Sequence, residues 1–181
     1  MGLCRVYFII DNRYAKELIE KLINIIRSRF INIGIDKQFS SPVNVCSDKM
    51  RRFIEWGLKR GYCVIIIADT EGIKPDEIRE RIINEHVKDL RINDPNRIKI
   101  ILAHPCLEAW LAELLNLNVG NAINCKDVKD TIRHRLNMKD YDSYLLPNLI
   151  ERHLRDRLEI GDVPSFLEKF VNAVRRCCGL T

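Results

Sequence analysis

The sequence predicts an α/β protein of three layers, α/β/α, with a four-stranded, mostly parallel sheet and a helical C-terminal extension. Three observations predict it. Through the first 117 residues short apolar runs alternate with segments of helical period, the pattern of strand–helix units. The run Cys63-Val64-Ile65-Ile66-Ile67-Ala68 is apolar without alternation, as a strand buried on both faces must be. From residue 118 onward only helical periodicity remains, so residues 1–117 read as the α/β domain and 118–181 as an extension packed on it.

The elements follow in order. Residues 3–10 are apolar except for Arg5 and form the first strand; Asp11-Asn12 ends it, and Tyr14, Leu18, Leu22 and Ile26 then recur at helical spacing. A second strand is expected at 31–35, then a polar loop around Pro42. Ser47 is placed to cap a helix whose face is Met50, Phe53, Ile54, Gly57 and Leu58, with Gly61 as its C-terminal stop. The third strand, 64–68, delivers Asp69, Thr70 and Glu71. Pro75 with Asp76 and Glu77 is a helix first turn, where the missing proline N–H costs nothing and acids suit the dipole; Ile78, Ile82, Ile83, Val87 and Leu90 give its core face. The fourth strand spans 98–103 and leads through His104-Pro105 into a helix carrying Leu107, Trp110, Leu111 and Leu114. Helices at 127–136, 145–158 and 164–177 complete the chain.

Composition bounds the rest. With 181 residues, 46% of them hydrophobic, the chain builds one good core but not two full domains. A net charge of +5, from 30 basic and 25 acidic residues, is compatible with nucleic acid and equally with none. Seven cysteines form no CxxC pair, which argues for reduced, buried thiols and against a zinc site or a disulfide framework. No signal peptide and no apolar run of membrane-spanning length is recognised, so a cytoplasmic protein is expected. Neither GxGxxG nor GxxxxGK[ST], GxSxG or HExxH occurs, which sets aside dinucleotide, P-loop, serine-hydrolase and zincin chemistry.

What stands out is acid at strand ends. In an open α/β sheet ligands bind outside the carboxyl ends of the strands. If strands one and three are neighbours, Asp11, Asp69 and Glu71 converge there, and Glu108 joins them from the first turn of the helix after strand four. Residues i and i+2 of an extended strand share a side, so Asp69 and Glu71 would repel unless a cation or a proton joins them. Mg²⁺ or Mn²⁺ is the usual resident, and such a site suits phosphodiester hydrolysis or transfer. The plainer reading is a solvated acidic loop, with Glu108 serving the helix dipole.

Three stretches resemble the Toprim fold, in particular the group that includes OLD-type nucleases and a domain-of-unknown-function family often encoded beside ABC-type ATPases. They are Ala68-Asp69-Thr70-Glu71, His104-Pro105-Cys106-Leu107-Glu108-Ala109-Trp110-Leu111, and Val163-Pro164-Ser165-Phe166-Leu167-Glu168-Lys169-Phe170. The resemblance implies a Mg²⁺-dependent nuclease-like activity, with Asp69 as central ligand and Asp11 and Glu71 completing the shell. It also implies nucleic acid and an ABC-type ATPase as partners. The chain departs from that pattern in having Asp11-Asn12 where Glu, often followed by Gly, is usual, and Asp69-Thr70-Glu71 where Asp-x-Asp is usual; a rearranged site and a lost one both fit. The competing class is a non-catalytic α/β interaction module. A phosphoacceptor receiver domain would need a second acid beside Asp11 and a lysine after a fifth strand, and neither is evident.

Other residues have architectural readings. Trp110 is spaced for the core, Ser165 with Glu168 fits a capping box, and His104 suits a cap or the surface as its plainer reading, a phosphate ligand or general acid at the sheet edge being the functional one. Arg51-Arg52, Lys59-Arg60, Arg133-His134-Arg135, Arg152-His153-Leu154-Arg155 and Arg175-Arg176 are solvated helix faces unless they flank the acids.

Overall fold

Four parallel strands lie in the spatial order β2 (Ile35–Phe39), β1 (Cys4–Ile10), β3 (Cys63–Asp69), β4 (Ile98–Ala103). This computed structural model describes residues 3–90, 94–119 and 124–180. The central strands β1 and β3 are nearly all apolar because helices cover both of their faces. Alternation along them divides the core. Val6, Phe8, Ile10, Ile65 and Ile67 face α1 (Arg13–Arg29), α4 (Glu108–Leu114), α5 (Cys125–Arg135), α6 (Leu146–Glu159) and α7 (Ser165–Cys177), while Tyr7, Ile9, Val64, Ile66 and Ala68 face α2 (Asp48–Lys59) and α3 (Pro75–Ile82). The three-layer α/β/α arrangement follows. The C-terminal helices share the first of these cores, α6 packing on α1 and α4, and α7 on β1, β3 and β4.

Local sequence sets the element ends. Asn12 caps α1 by accepting from the Ala15 N–H at 2.9 Å, Ser47 caps α2 by accepting from Lys49, and Pro75 occupies the first turn of α3. Gly61, with φ of 81°, takes the left-handed turn that stops α2.

Four expectations are corrected. The second strand runs over Ile35–Phe39, not 31–35: Ile31 is buried at the wrap after α1, where its N–H bonds Ile26 O, and the strand itself carries Asp36, Lys37 and Gln38 because an edge strand tolerates and benefits from polar side chains. The helix from Pro75 changes to a π-turn at Ile83–Val87, whose extra residue rotates the face; Ile83 is 40% exposed and His86 is buried in its stead, its Nε2 2.6 Å from Val45 O. Ser165 begins α7 after Pro164 and forms no capping box; its N–H and hydroxyl both bond the Glu113 carboxylate. Finally, six cysteines are paired, Cys4–Cys178, Cys63–Cys177 and Cys106–Cys125, with Cα separations of 5.1, 5.5 and 5.6 Å, and Cys46 alone is free. Two of these pairs tie the end of α7 to the first residues of β1 and β3. Their partners are 174 and 114 residues apart in sequence, so spacing gave no sign of them.

Gly57 lies inside α2, where glycine is ordinarily a liability. A Cβ there would stand 2.8 Å from the Tyr7 ring and 3.0 Å from Val64, and Tyr7 is itself packed against the Trp56 and Tyr62 rings. Helix propensity alone would make Gly57→Ala stabilising by about 1 kcal/mol. We expect the opposite, a loss of about 1–3 kcal/mol in denaturant unfolding from overpacking; a gain in stability would show that α2 is free to move off the sheet.

Candidate active site

The β1–β3 register pairs Ile10 with Ile67, so Asp11 leaves β1 beside the last residues of β3. Asp11 Oδ2 accepts the Asp69 N–H at 2.6 Å, and Asp11 Oδ1 accepts from the Asn12 side-chain amide at 2.7 Å. Asn12 therefore does two things at once, capping α1 with its oxygen and holding Asp11 with its nitrogen. Asp69 Oδ1 in turn accepts the Leu107 N–H at 2.8 Å, tying the end of β3 to the entrance of α4. Two carboxylates from adjacent strands thus lie together at the crevice where ligands of α/β sheets bind.

Glu108 is completely buried at the start of α4. Ser143 donates to its Oε1 at 2.7 Å and the Lys129 ammonium stands 3.3 Å from the same oxygen. Cys125 Sγ lies 3.5 Å from Oε2, a contact and not a hydrogen bond, since a disulfide sulfur has no proton to donate. Cys106, Glu108 and Cys125 place ligand-type atoms within 4.8 Å of one another, but the disulfide removes both thiolates as metal ligands.

Glu71 does not follow the same-side rule, because β3 ends at Asp69. The chain turns at Glu71, whose φ is 51° and whose N–H bonds Pro105 O at 2.9 Å, and the residue is exposed. It lies on the rim of a cleft of about 220 Å³ that Asp11, Asn44, Asp69 and Arg81 also line. Its neighbour Thr70 is buried and bonds the His104 ring at 2.7 Å, so His104 braces the turn and does not touch the carboxylates.

Desolvation dominates the electrostatics. Burial, reinforced by the charges of Glu71 and Glu108, pushes Asp11 up to about 6 against the lowering effect of its backbone hydrogen bonds. Asp69 is pushed up to about 8, first by burial, then by the charges of Asp11 and Glu108, with the Leu107 N–H and Lys129 opposing. Tyr14 and Tyr141 are raised above the usual phenol range, mainly by burial and then by Glu108, so both stay neutral donors at physiological pH. The Tyr141 hydroxyl is buried with no partner among the described residues.

These donors suit a hard cation of one kind. Mg²⁺ binds commonly through one or two carboxylates, with water and phosphate oxygens completing the shell, and Asp11 and Asp69 supply such a pair. They do not suit a cage closed by the protein alone, because Asp11, Asp69, Glu71 and Glu108 form no group of three within 4.8 Å of one another among the described residues. Sequence reasoning missed Lys129 and Ser143, which reach Glu108 from the C-terminal part of the chain, and Tyr141, which feels its charge; it took Tyr14 for packing alone. Nothing local marks them; only the folding of α5 and its successor loop onto α4 does. Members of four of the basic clusters that the sequence displays are engaged on helix surfaces, Arg51 and Lys59 with Glu55, Arg133 with Asp130, Arg155 with Glu151 and Arg60 over the Trp56 ring.

A carboxylate raised in the folded state holds its proton more firmly there than in the unfolded chain, so its contribution to stability is complete below about pH 4 and is lost as pH rises through the folded value. In the presence of a chelator we expect the melting temperature to fall between pH 5 and 8.5, and Asp69→Asn to flatten that slope. The asparagine retains an oxygen for Leu107 N–H. Asp11→Asn, left with one oxygen for two donors, should be the less stable of the two variants. A wild-type stability that climbs over this pH window would contradict the assignment.

No protein-family model matches this sequence, and neither a curated protein nor a solved structure matches it.

Proposed function

We propose that the carboxyl edge of the sheet is a Mg²⁺- or Mn²⁺-dependent centre for phosphodiester hydrolysis or transfer. The observation that carries this reading is the desolvated pair Asp11–Asp69, two acids at one edge whose mutual repulsion asks for a cation or a proton. When bound, the divalent ion would neutralise phosphate charge and lower the pKa of a water.

The chain's own residues do the rest. Asp69 is the central ligand, oriented by the Leu107 N–H, and Asp11 is its partner, oriented by Asn12. Glu71, on the exposed rim, would act on a bound ion through its field, and Glu108, already engaged by Ser143 and Lys129, holds those cationic and polar groups at the edge. Tyr14, which lines the cleft and is kept neutral by burial, would donate to oxygens that gain charge. A nucleic-acid substrate and an ATPase partner are implied by the Toprim-like resemblance. A second reading, an interaction module with an architectural acid cluster, is favoured by the backbone N–H groups that the oxygens of Asp11 and Asp69 already cap.

One paired experiment separates them. Asp69→Asn should weaken Mn²⁺ binding in a calorimetric titration by at least about tenfold, or roughly 1.4 kcal/mol. It should also abolish Mn²⁺-dependent cleavage of a single-stranded DNA, while the thermal melt holds or improves. Unchanged Mn²⁺ affinity with a clear loss of stability would make Asp69 a structural turn residue and the module the better account.

A further inference from the structure

The strand order leaves β4 at the edge of the sheet, with no strand paired to its outer side among the described residues. Ala103 O bonds Thr70 N on the β3 side, so by alternation Lys99, Ile101 and Ala103 direct their backbone groups inward and Ile98, Ile100 and Leu102 direct theirs outward. Arg79 confirms the phase, since its guanidinium reaches Ile100 O from outside, at a long 3.4 Å. A groove of about 990 Å³ runs along this edge, floored by β4 and walled by α3 with its π-turn on one side and by α4 and α7 on the other. Native sheets usually blunt such an edge with charged side chains, a bulge, a proline or a covering element, and of these β4 has Lys99 and the approach of Arg79 alone. Here the strand is regular over six residues, and Ile98, Ile100 and Leu102 are only partly buried.

The rim has one sign of charge. Arg79, Lys99, Lys169 and Arg176 line the groove, and none of the four has an ion-pair partner among the described residues. Its one acid, Glu113, is occupied by the Ser165 N–H and hydroxyl. We infer that the β4 groove is a docking site for an extended acidic segment of a partner protein, which adds to the sheet as a fifth strand beside β4 and sets its carboxylates against Lys99, Lys169 and Arg176. Main-chain pairing supplies affinity in this mode and the flanking side chains supply selectivity. A second copy of the chain is a poor occupant, because β4 meeting β4 would bring the same four cations together. Single-stranded nucleic acid would find cations but no accessible stacking surface: the aromatic rings of the groove, Trp110 and Phe166, are buried and stacked on each other with centroids 4.9 Å apart.

The test uses the full chain and a fluorescent, end-blocked peptide of alternating Glu and Val, nine residues long, followed by anisotropy. We expect saturable binding that weakens with added salt and falls about tenfold or more for a Lys99→Glu/Lys169→Glu variant. We expect a similar loss when prolines replace two alternate residues of the peptide, because they remove N–H donors without touching the protein. Variants are checked by thermal melt, and the proline peptide keeps the test informative should they unfold. Absence of saturable binding would overturn the inference. So would equal binding of the alternating Lys-Val peptide, insensitivity to proline, displacement of the peptide by an oligothymidylate of higher affinity, or a concentration-dependent dimer in sedimentation that Lys99→Glu dissolves.

Discussion

Asp11 and Asp69 are set side by side by the parallel pairing of β1 with β3, and much of the carboxyl edge answers to the cost of keeping them there. Burying two carboxylates next to each other is unfavourable by desolvation and by repulsion; burial raises the proton affinity of both, the charge of Asp11 raises that of Asp69 further, and the charges of Glu71 and Glu108 raise that of Asp11. The surroundings reduce that cost in recognisable ways. Backbone N–H groups of Asp69 and Leu107 face the acids, Asn12 fixes one of them, and Lys129 approaches across Glu108. None of these removes the repulsion, and it is this remaining cost that the proposed cation would offset.

The two ends of the sheet are built on different principles. At the carboxyl ends the chain gathers charge, with the Cys106–Cys125 disulfide beside Glu108; at the amino ends it gathers two disulfides, where Cys4 and Cys63 open β1 and β3 and meet Cys178 and Cys177 at the end of α7. In the chain-entropy view a cross-link closing a loop of over a hundred residues contributes about 5 kcal/mol, and two adjacent links contribute less than twice that. Such a clamp holds α7 on the sheet, and α7 is one wall of the β4 groove. Disulfides also belong to oxidising surroundings, so the pairing bears on where this chain works. No helix among the described residues is long and apolar enough to cross a membrane.

Reading the sequence recovered what local pattern controls. Both central strands, β4, the caps at Ser47 and Pro75, the stop at Gly61 and the position of Asp69 were legible because apolar runs, turn residues and capping chemistry are written within a few residues of one another. β2 was misplaced because its strand is polar and the apolar residues before it belong to a loop wrap. The face of the helix after Pro75 was misread because a π-turn breaks the 3.6 period without any proline or glycine to announce it. The site was legible to the extent that it hangs on strand ends: Asp11 and Asp69 meet, but Glu71 leaves the strand's alternation one residue too soon. Lys129, Ser143 and Tyr141 were hidden because tertiary packing alone brings the C-terminal helices to Glu108.

Site-resolved titration of the aspartate side-chain carboxyls by ¹³C NMR, with and without Mg²⁺, tests the account at its centre. Without metal, Asp11 and Asp69 should titrate well above the ordinary carboxylate range, near 6 and near 8, and saturating Mg²⁺ should draw both transitions downward. Two aspartates that titrate at ordinary values and ignore the ion would contradict it, leaving this edge an ordinary turn between strand and helix.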